Sequence, residues 1–285
     1  MLPGIHLVHK AAGPTSVAVM SGLPLGHARH CHGGALDPFA EGLLLVLVGE
    51  ATKLFPWLHD VPKCYEAEVV WGTETDTGDA GGQVVAEGGA RPDPASLDAA
   101  LAHFSGWTLQ VPPATSNKRV AGERAWARAH RGETVDLPAC RVLLHQARWT
   151  AHPSSTTSHL EVVVRGGFYV RALARDLGRL TGARAHLRHL RRSAIGPWPC
   201  PEPGNTRHLQ GIGVLPWCPQ LRVAPGLRLQ LGDVLPPAAL SPPGWRLPEG
   251  FGPPPALAVA EGRVKAIVEP DNHGFRVVTV LGRGL

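Results

Sequence analysis

The feature that most limits how this chain can fold is the stretch Leu43-Leu-Leu-Val-Leu-Val48, six apolar residues closed by Gly49. A strand with one wet face alternates apolar and polar residues. An unbroken apolar run bounded by a turn residue reads instead as a strand buried on both faces. Such a strand must be covered on two sides, which demands a layered core, and 285 residues are enough to build one. The residues just before the run are of a different kind: His27-Ala-Arg-His-Cys-His-Gly-Gly-Ala-Leu-Asp-Pro-Phe-Ala-Glu-Gly42. Gly33, Gly34 and Pro38 force a tight loop there. Asp37 is thereby presented on a short rigid segment against the core, a suitable place for a reactive carboxylate. Taken alone, an Asp before Pro is more often a turn residue.

Other segments fill in the layers. Between Lys63 and Trp71, Tyr65, Ala67, Val69 and Trp71 alternate with Cys64, Glu66, Glu68 and Val70, the pattern of a half-buried strand. Thr73 to Gly82 is rich in Asp, Thr and Gly and reads as a loop. Leu97, Ala100, Leu101 and Phe104 have helical spacing over Pro94 to Phe104, with Asp93 as N-cap. A second helix is expected around Gly122 to Arg131 and a strand over Leu160 to Arg165, turned by Gly166-Gly167. A third helix is expected from about Tyr169 to Leu180, stopped at Gly182. Eight prolines fall between Gly232 and Pro255, an irregular linker or loop. Three short strand-like runs follow: Ala256 to Ala260, Val264 to Val268 and Phe275 to Leu281. Strands and helices without strict alternation indicate an α+β class, with a central mixed or antiparallel sheet flanked by helices.

Charge and cysteine usage narrow the partners and the compartment. Lys and Arg number 28 against 23 acids, and only five of the cations are Lys, so 23 are Arg. Arginine presents a planar fork that matches phosphate oxygens, which favours a nucleic-acid partner. A GC-rich genome would also inflate Arg, and the 34 Gly and 28 Pro fit that reading. Placement is more telling. Arg165, Arg171, Arg175, Arg179, Arg184, Arg188, Arg191 and Arg192 crowd one stretch in which Asp176 is the only acid. Arg171, Arg175 and Arg179 share a face of the expected helix, where unpaired like charges call for a polyanion. A solvated face is the bland reading. The five cysteines are odd in number and never in a C-x-x-C pair, which argues against a disulfide framework or zinc knuckle and for a reducing cytoplasm. His6, His9 and Lys10 interrupt any signal-peptide core, and no apolar run is long enough to span a bilayer.

Several blocks then fall in one order: Gly4 to Ser16; His32-Gly-Gly-Ala-Leu-Asp37-Pro-Phe-Ala-Glu-Gly42 with Gly49-Glu-Ala-Thr-Lys-Leu54; Lys63-Cys-Tyr65; and Gly72-Thr-Glu-Thr-Asp-Thr-Gly-Asp79. Gln110-Val-Pro-Pro113 with Ser116 and Lys118 comes next, then Gly167-Phe-Tyr-Val-Arg171 with Asp176-Leu-Gly178, then Leu190-Arg-Arg-Ser193 with Gly196. Together they resemble the TruB-type tRNA pseudouridine synthases over roughly residues 4–200. The resemblance implies isomerisation of uridine 55 in the tRNA T-loop by a monomer without metal or organic cofactor. It also implies a pseudouridine synthase domain over residues 1–220 and a small β-rich, PUA-like RNA-binding module with a Pro-rich loop over 221–285.

The resemblance also assigns roles. Asp37 matches the family's nucleophile. Tyr65 matches the active-site tyrosine that packs on the target base, and Arg171 the guanidinium that keeps the nucleophile ionised. A uridine inside a folded T-loop must be flipped out, and His32 corresponds to the histidine that stands in for it. Lys10, Lys63, Tyr169, Arg175, Arg179, Arg191 and Arg192 are the further residues expected to meet RNA.

The chain departs from the pattern at Cys31 and Gly33 around the histidine, at His9 and Ala11 around Lys10, at Phe168, and at Thr115 and Asn117, where Tyr and Ala are usual. Other readings stay open. A non-catalytic RNA-folding factor could keep the same surface, and a related synthase could act on another RNA or be guided by one. His27, His30, Cys31, His32 and Asp37 invite a zinc-hydrolase reading, but no second ligand cluster supports it.

Overall fold

The computed structural model describes residues 1–282 and 284–285. In chain order the first elements are β1 (Gly4–Lys10), α1 (Ser16–Ser21), β2 (His30–His32), β3 (Glu41–Val48), α2 (Phe55–His59), β4 (Lys63–Trp71), β5 (Thr73–Thr75) and β6 (Val84–Glu87). There follow α3 (Pro94–His103), β7 (Gly106–Gln110), β8 (Arg119–Val120), β9 (Glu123–Arg124), α4 (Ala125–His130), β10 (Cys140–Ser154), β11 (Thr157–Val164) and α5 (Val170–Thr181). The last are β12 (Ala185–Ile195), β13 (Trp198–Pro199), β14 (Thr206–Leu209), β15 (Gln220–Arg222), β16 (Val234–Leu235), β17 (Ala256–Ala260), β18 (Arg263–Asp271) and β19 (Gly274–Val280). The class is α+β, as expected. No helix among the described residues is long and apolar enough to cross a membrane.

The chain divides into two compact units, residues 1–38, 42–62 and 194–285 in one and residues 39–41 and 63–193 in the other. In the first, β3 lies antiparallel to β1, with Ile5 opposite Leu47 and Leu7 opposite Leu45. The apolar run does bury both faces. Leu43, Leu45 and Leu47 join Ile5, Leu7, Trp217, Leu257 and Ile267 in one core, whereas Leu44, Val46 and Val48 pack with Val8, Met20 and Leu25 in another. Strands β15-β17-β18-β19-β16 form a sheet of their own, antiparallel except between β15 and β17. The three C-terminal runs read from the sequence are β17, β18 and β19.

An edge of this unit carries a titratable pair. His6 on β1 faces His208 on β14, their rings stacked with centroids 4.5 Å apart. Burial, opposed by a hydrogen bond to the Leu2 carbonyl and helped by His208 and the N-terminus, holds the His6 imidazole below its ordinary value. The unfolded chain therefore takes up this proton first. Stability is complete above about pH 6.5 and is lost as pH falls towards the lowered folded value. His152, also lowered by burial first, adds to the same window. We expect the melting temperature to decline as pH falls below about 6.5, before the carboxylates begin to titrate. His6→Gln should flatten part of that slope, and an unchanged slope would remove His6 from the account.

In the second unit β4, β11, β10 and β7 pair antiparallel in that order, and β12 lies beyond β4. β4 alternates buried and half-buried residues throughout, as its sequence predicts. Asp93 caps α3 by accepting from the Ser96 amide at 3.0 Å. α5 ends at Gly182, whose φ of 72° is the left-handed C-cap. Two long strands were not anticipated: β10, with 15 residues, and β12, whose 11 residues read as a basic stretch.

Candidate active site

Asp37 sits half-buried between residues that are fixed on both sides. The hydroxyl of Ser16 accepts from the Leu36 amide at 2.9 Å and donates to the Leu36 carbonyl at 3.1 Å. On the other side the Pro38 carbonyl accepts from the Gly13 amide at 2.8 Å and from Lys10 Nζ at 3.2 Å. Thr15 holds the supporting helix by capping the Ala18 amide at 3.1 Å. The β1–α1 connection is thus a bracket, and the Asp37 main chain has little freedom between its two anchors. Ser16 is 4 % exposed, so Ser16→Ala would leave both polar groups of Leu36 without this partner at a cost of about 1–3 kcal/mol. A lower melting temperature and faster exchange of the Leu36 amide are expected. Slow exchange in the variant would show that the bracket is not what holds the loop.

His32 lies on β2 opposite Val46, and its Nδ1 accepts from the Gly34 amide at 3.4 Å. The glycine after it has a steric reason. A Cβ on Gly33 would stand 3.0 Å from the Leu45 Cβ, so this close approach to β3 leaves little room for the Thr of the resembled pattern.

The second unit carries Tyr65 and Arg171. Tyr65 is on the buried face of β4, and Arg192 Nη1 donates to its hydroxyl at 3.4 Å, the guanidinium carbon 6.0 Å from the ring centre. Arg171, in the first turn of α5, is 3 % exposed. Its Nη1 donates to the Thr77 carbonyl at 2.6 Å and to Thr115 Oγ1 at 2.7 Å, and Nη2 donates to the Thr115 carbonyl at 3.3 Å. Asp79 Oδ2 is 3.7 Å from Nη1. The Thr73–Gly82 segment is therefore a support for this guanidinium. Gly78 allows the approach, because a Cβ there would lie 3.2 Å from the Arg171 Cβ.

The arginine cluster differs from its sequence reading in one respect: Arg171, Arg175, Arg179, Arg184, Arg188 and Arg191 meet acids within the protein. Arg175 binds Asp176 at 2.8 Å and the Val111 carbonyl at 2.8 Å. Arg179 and Arg184 share Glu74, Arg188 pairs with Glu68, and Arg191 with Glu66 at 3.2 Å. Burial is the largest single influence on Glu74 and favours its neutral form, but hydrogen bonds from Arg179 with the charges of Arg179, Arg184 and Arg175 together hold its carboxyl below the usual range. Glu66, Glu68 and Glu74 lie about a hundred residues upstream in the sequence, on β4 and β5, which is why most of the stretch looked unpaired. Lys10, Lys63 and Arg192 also differ from a set of surface cations, being 0 %, 6 % and 1 % exposed. Lys10 holds the Pro38 and Ala11 carbonyls, and Arg192 reaches Tyr65. Tyr169 is the N-cap residue of α5, its main chain gripped by Gln110.

Sequence reasoning missed Ser16, Thr77, Gln110 and Thr115 as individual supports, although each lies in a quoted block. Their partners are 20 to 94 residues away, and no spacing rule links them. Among the described residues no three His, Cys, Asp or Glu side chains come together in a set that could hold a metal ion.

Comparison with known proteins bears on the family and the fold. The model of the TruB family pseudouridylate synthase (N terminal domain) matches residues 24–170. A tRNA pseudouridine synthase B of Cereibacter sphaeroides is 42% identical over 199 residues, covering 69% of this chain and 66% of that protein. The protein of the same name from Paracoccus denitrificans is 44% identical over 197 residues, 68% of this chain and 66% of its own length. That from Roseobacter denitrificans is 39% identical over 222 residues, 77% of this chain and 72% of its own length. The match thus spans just under two thirds of the first two relatives. Among solved structures, an H/ACA RNP bound to a substrate RNA containing 2'-deoxyuridine aligns with a TM-score of 0.64 at 16% identity, over 98% of this chain and 84% of that one. A Cbf5-Nop10-Gar1 complex aligns at 0.52 and 23% identity, over 69% and 50%. These two likenesses are of fold. From its sequence identity and the matched domain, the chain belongs to the TruB family of pseudouridylate synthases.

Proposed function

We propose that this protein isomerises uridine to pseudouridine in tRNA, at position 55 of the T-loop, with Asp37 as the nucleophile. The observation that carries the reading is the bracketed loop: a carboxylate anchored on both sides by main-chain hydrogen bonds is held for reaction rather than for a flexible surface. The reaction breaks N1–C1′, turns the uracil and joins C5 to C1′. N1 gains a proton and C5 loses its hydrogen to solvent, so atoms balance without a redox partner. A single carboxylate suffices, attacking the ribose or the base. In this reading Tyr65 packs on the extruded base, Arg171 favours the ionised carboxylate, and His32 fills the gap left in the loop.

The remaining expectations follow from the same reading: a monomer that needs no metal or organic cofactor and works in a reducing cytoplasm, where cysteines outside any disulfide, as all five are here, are stable. The last 65 residues would add a β-rich contact to RNA. The internal pairing of the arginines makes phosphate contact there a matter of exchanging partners, so binding should still weaken with salt.

The test is release of tritium from a T-loop stem-loop RNA labelled at uridine C5, in EDTA. C5 gives up its hydrogen only when it becomes the glycosidic carbon. Release supports the isomerase. Tight binding without release would move the protein to the other reading, an RNA-folding factor on the same fold.

A further inference from the structure

The segment from Gln110 to Thr115 grips the first turn of α5 at two points. Gln110, 4 % exposed, uses both ends of its amide: Oε1 accepts from the Tyr169 amide at 2.9 Å and Nε2 donates to the Tyr169 carbonyl at 3.1 Å. This fixes the N-cap residue of the helix. Five residues on, Thr115 takes hold of Arg171 itself. Its side-chain oxygen accepts from Nη1 and its carbonyl from Nη2. A guanidinium is planar, so one residue holding both terminal nitrogens sets the tilt of the plane as well as its position. The Thr77 carbonyl accepts from Nη1 in addition. Thr115 is one of the positions where the chain departs from the pattern it resembles, and nothing in the sequence gave it a role.

We propose that Thr115 is a positioning residue for Arg171, acting through its hydroxyl to orient the guanidinium for the isomerisation described above. The inference rests on that reading. A group that acts through orientation affects turnover more than binding. Misplacement by a fraction of an ångström is felt in the rate, while the RNA still makes its other contacts.

The experiment compares wild type, Thr115→Val and Thr115→Ser by tritium release under saturating and limiting RNA, with the dissociation constant and melting temperature measured alongside. Valine keeps the shape and removes the acceptor. For Thr115→Val, kcat should fall about 10- to 100-fold, with KM and RNA affinity within about twofold, the signature of a lost orienting contact. Thr115→Ser should return to within about threefold of wild type, since it restores the oxygen without the methyl. Wild-type turnover in Thr115→Val overturns the proposal. So does an equal loss in Thr115→Ser, or a lower melting temperature with unchanged kcat, which would make the role structural. Should the valine variant melt too early to assay, Thr115→Ala measured below its melting temperature answers the same question. If wild type releases no tritium, the isomerase reading fails and this inference falls with it. If wild type is active and Thr115→Val matches it, only the inference fails.

Discussion

Asp37→Asn is expected to abolish tritium release from labelled T-loop RNA, lowering turnover by at least about 10⁴-fold, the scale of removing a nucleophile. The amide has the shape of the carboxylate but neither its charge nor its capacity to form the covalent intermediate. The loop itself should survive the change. Its anchors are the Leu36 amide and carbonyl on Ser16 and the Pro38 carbonyl on Gly13 and Lys10, none of which uses the Asp37 side chain. RNA affinity should therefore stay within about threefold, because phosphate contacts dominate binding. Residual turnover near a hundredth of wild type would place the nucleophile elsewhere. Asp37→Ala guards against slow deamidation restoring the carboxylate.

What could be read from the sequence and what could not divide along a physical line. Burial leaves a periodic trace, so β3 with two apolar faces and β4 with one were legible, down to the alternation of Tyr65, Ala67, Val69 and Trp71. Local chemistry is also legible: Asp93 caps α3 and Gly182 stops α5 where the residue types indicate. β12 was not legible, because a strand whose exposed arginines are matched by glutamates on β4 looks like a basic tail until its partners are found. β10 was hidden for a related reason, since only Val142, Leu143 and Leu144 mark it as core and the rest is half-exposed. The site divides in the same way. Asp37, Tyr65 and Arg171 came from motif resemblance, whereas the groups that hold them, Ser16 and Thr115, are joined to them only by tertiary contact. The mistaken expectation of unpaired arginines has the same origin, since charge balance was judged within a window when most of the balancing acids, Glu66, Glu68 and Glu74, lie outside it.

Gly178→Ala should cost the protein stability. In the interior of a helix this substitution ordinarily gains about 1 kcal/mol, and α5 is a well-formed helix here. The gain is overridden by space. A Cβ at Gly178 would stand 2.4 Å from the Ala185 nitrogen, 2.6 Å from the Arg184 carbonyl carbon and 2.9 Å from the Arg184 Cα. These are backbone atoms, which cannot swing away as a side chain end can. The chain there is also tied down, because the Arg184 amide donates to the Gly178 carbonyl at 3.0 Å. Relief therefore requires α5 and the start of β12 to separate. Overpacking of this kind costs about 3 kcal/mol or more, leaving a net loss of about 2 kcal/mol and a melting temperature lower by about 4–8 °C. Turnover should fall as well, because the helix that shifts carries Arg171, and the Thr77 and Thr115 acceptors are fixed on other segments. Paired measurements of melting temperature and kcat would separate the two effects. An unchanged or raised melting temperature would mean that helix propensity wins and that α5 does not rest on β12 through this glycine.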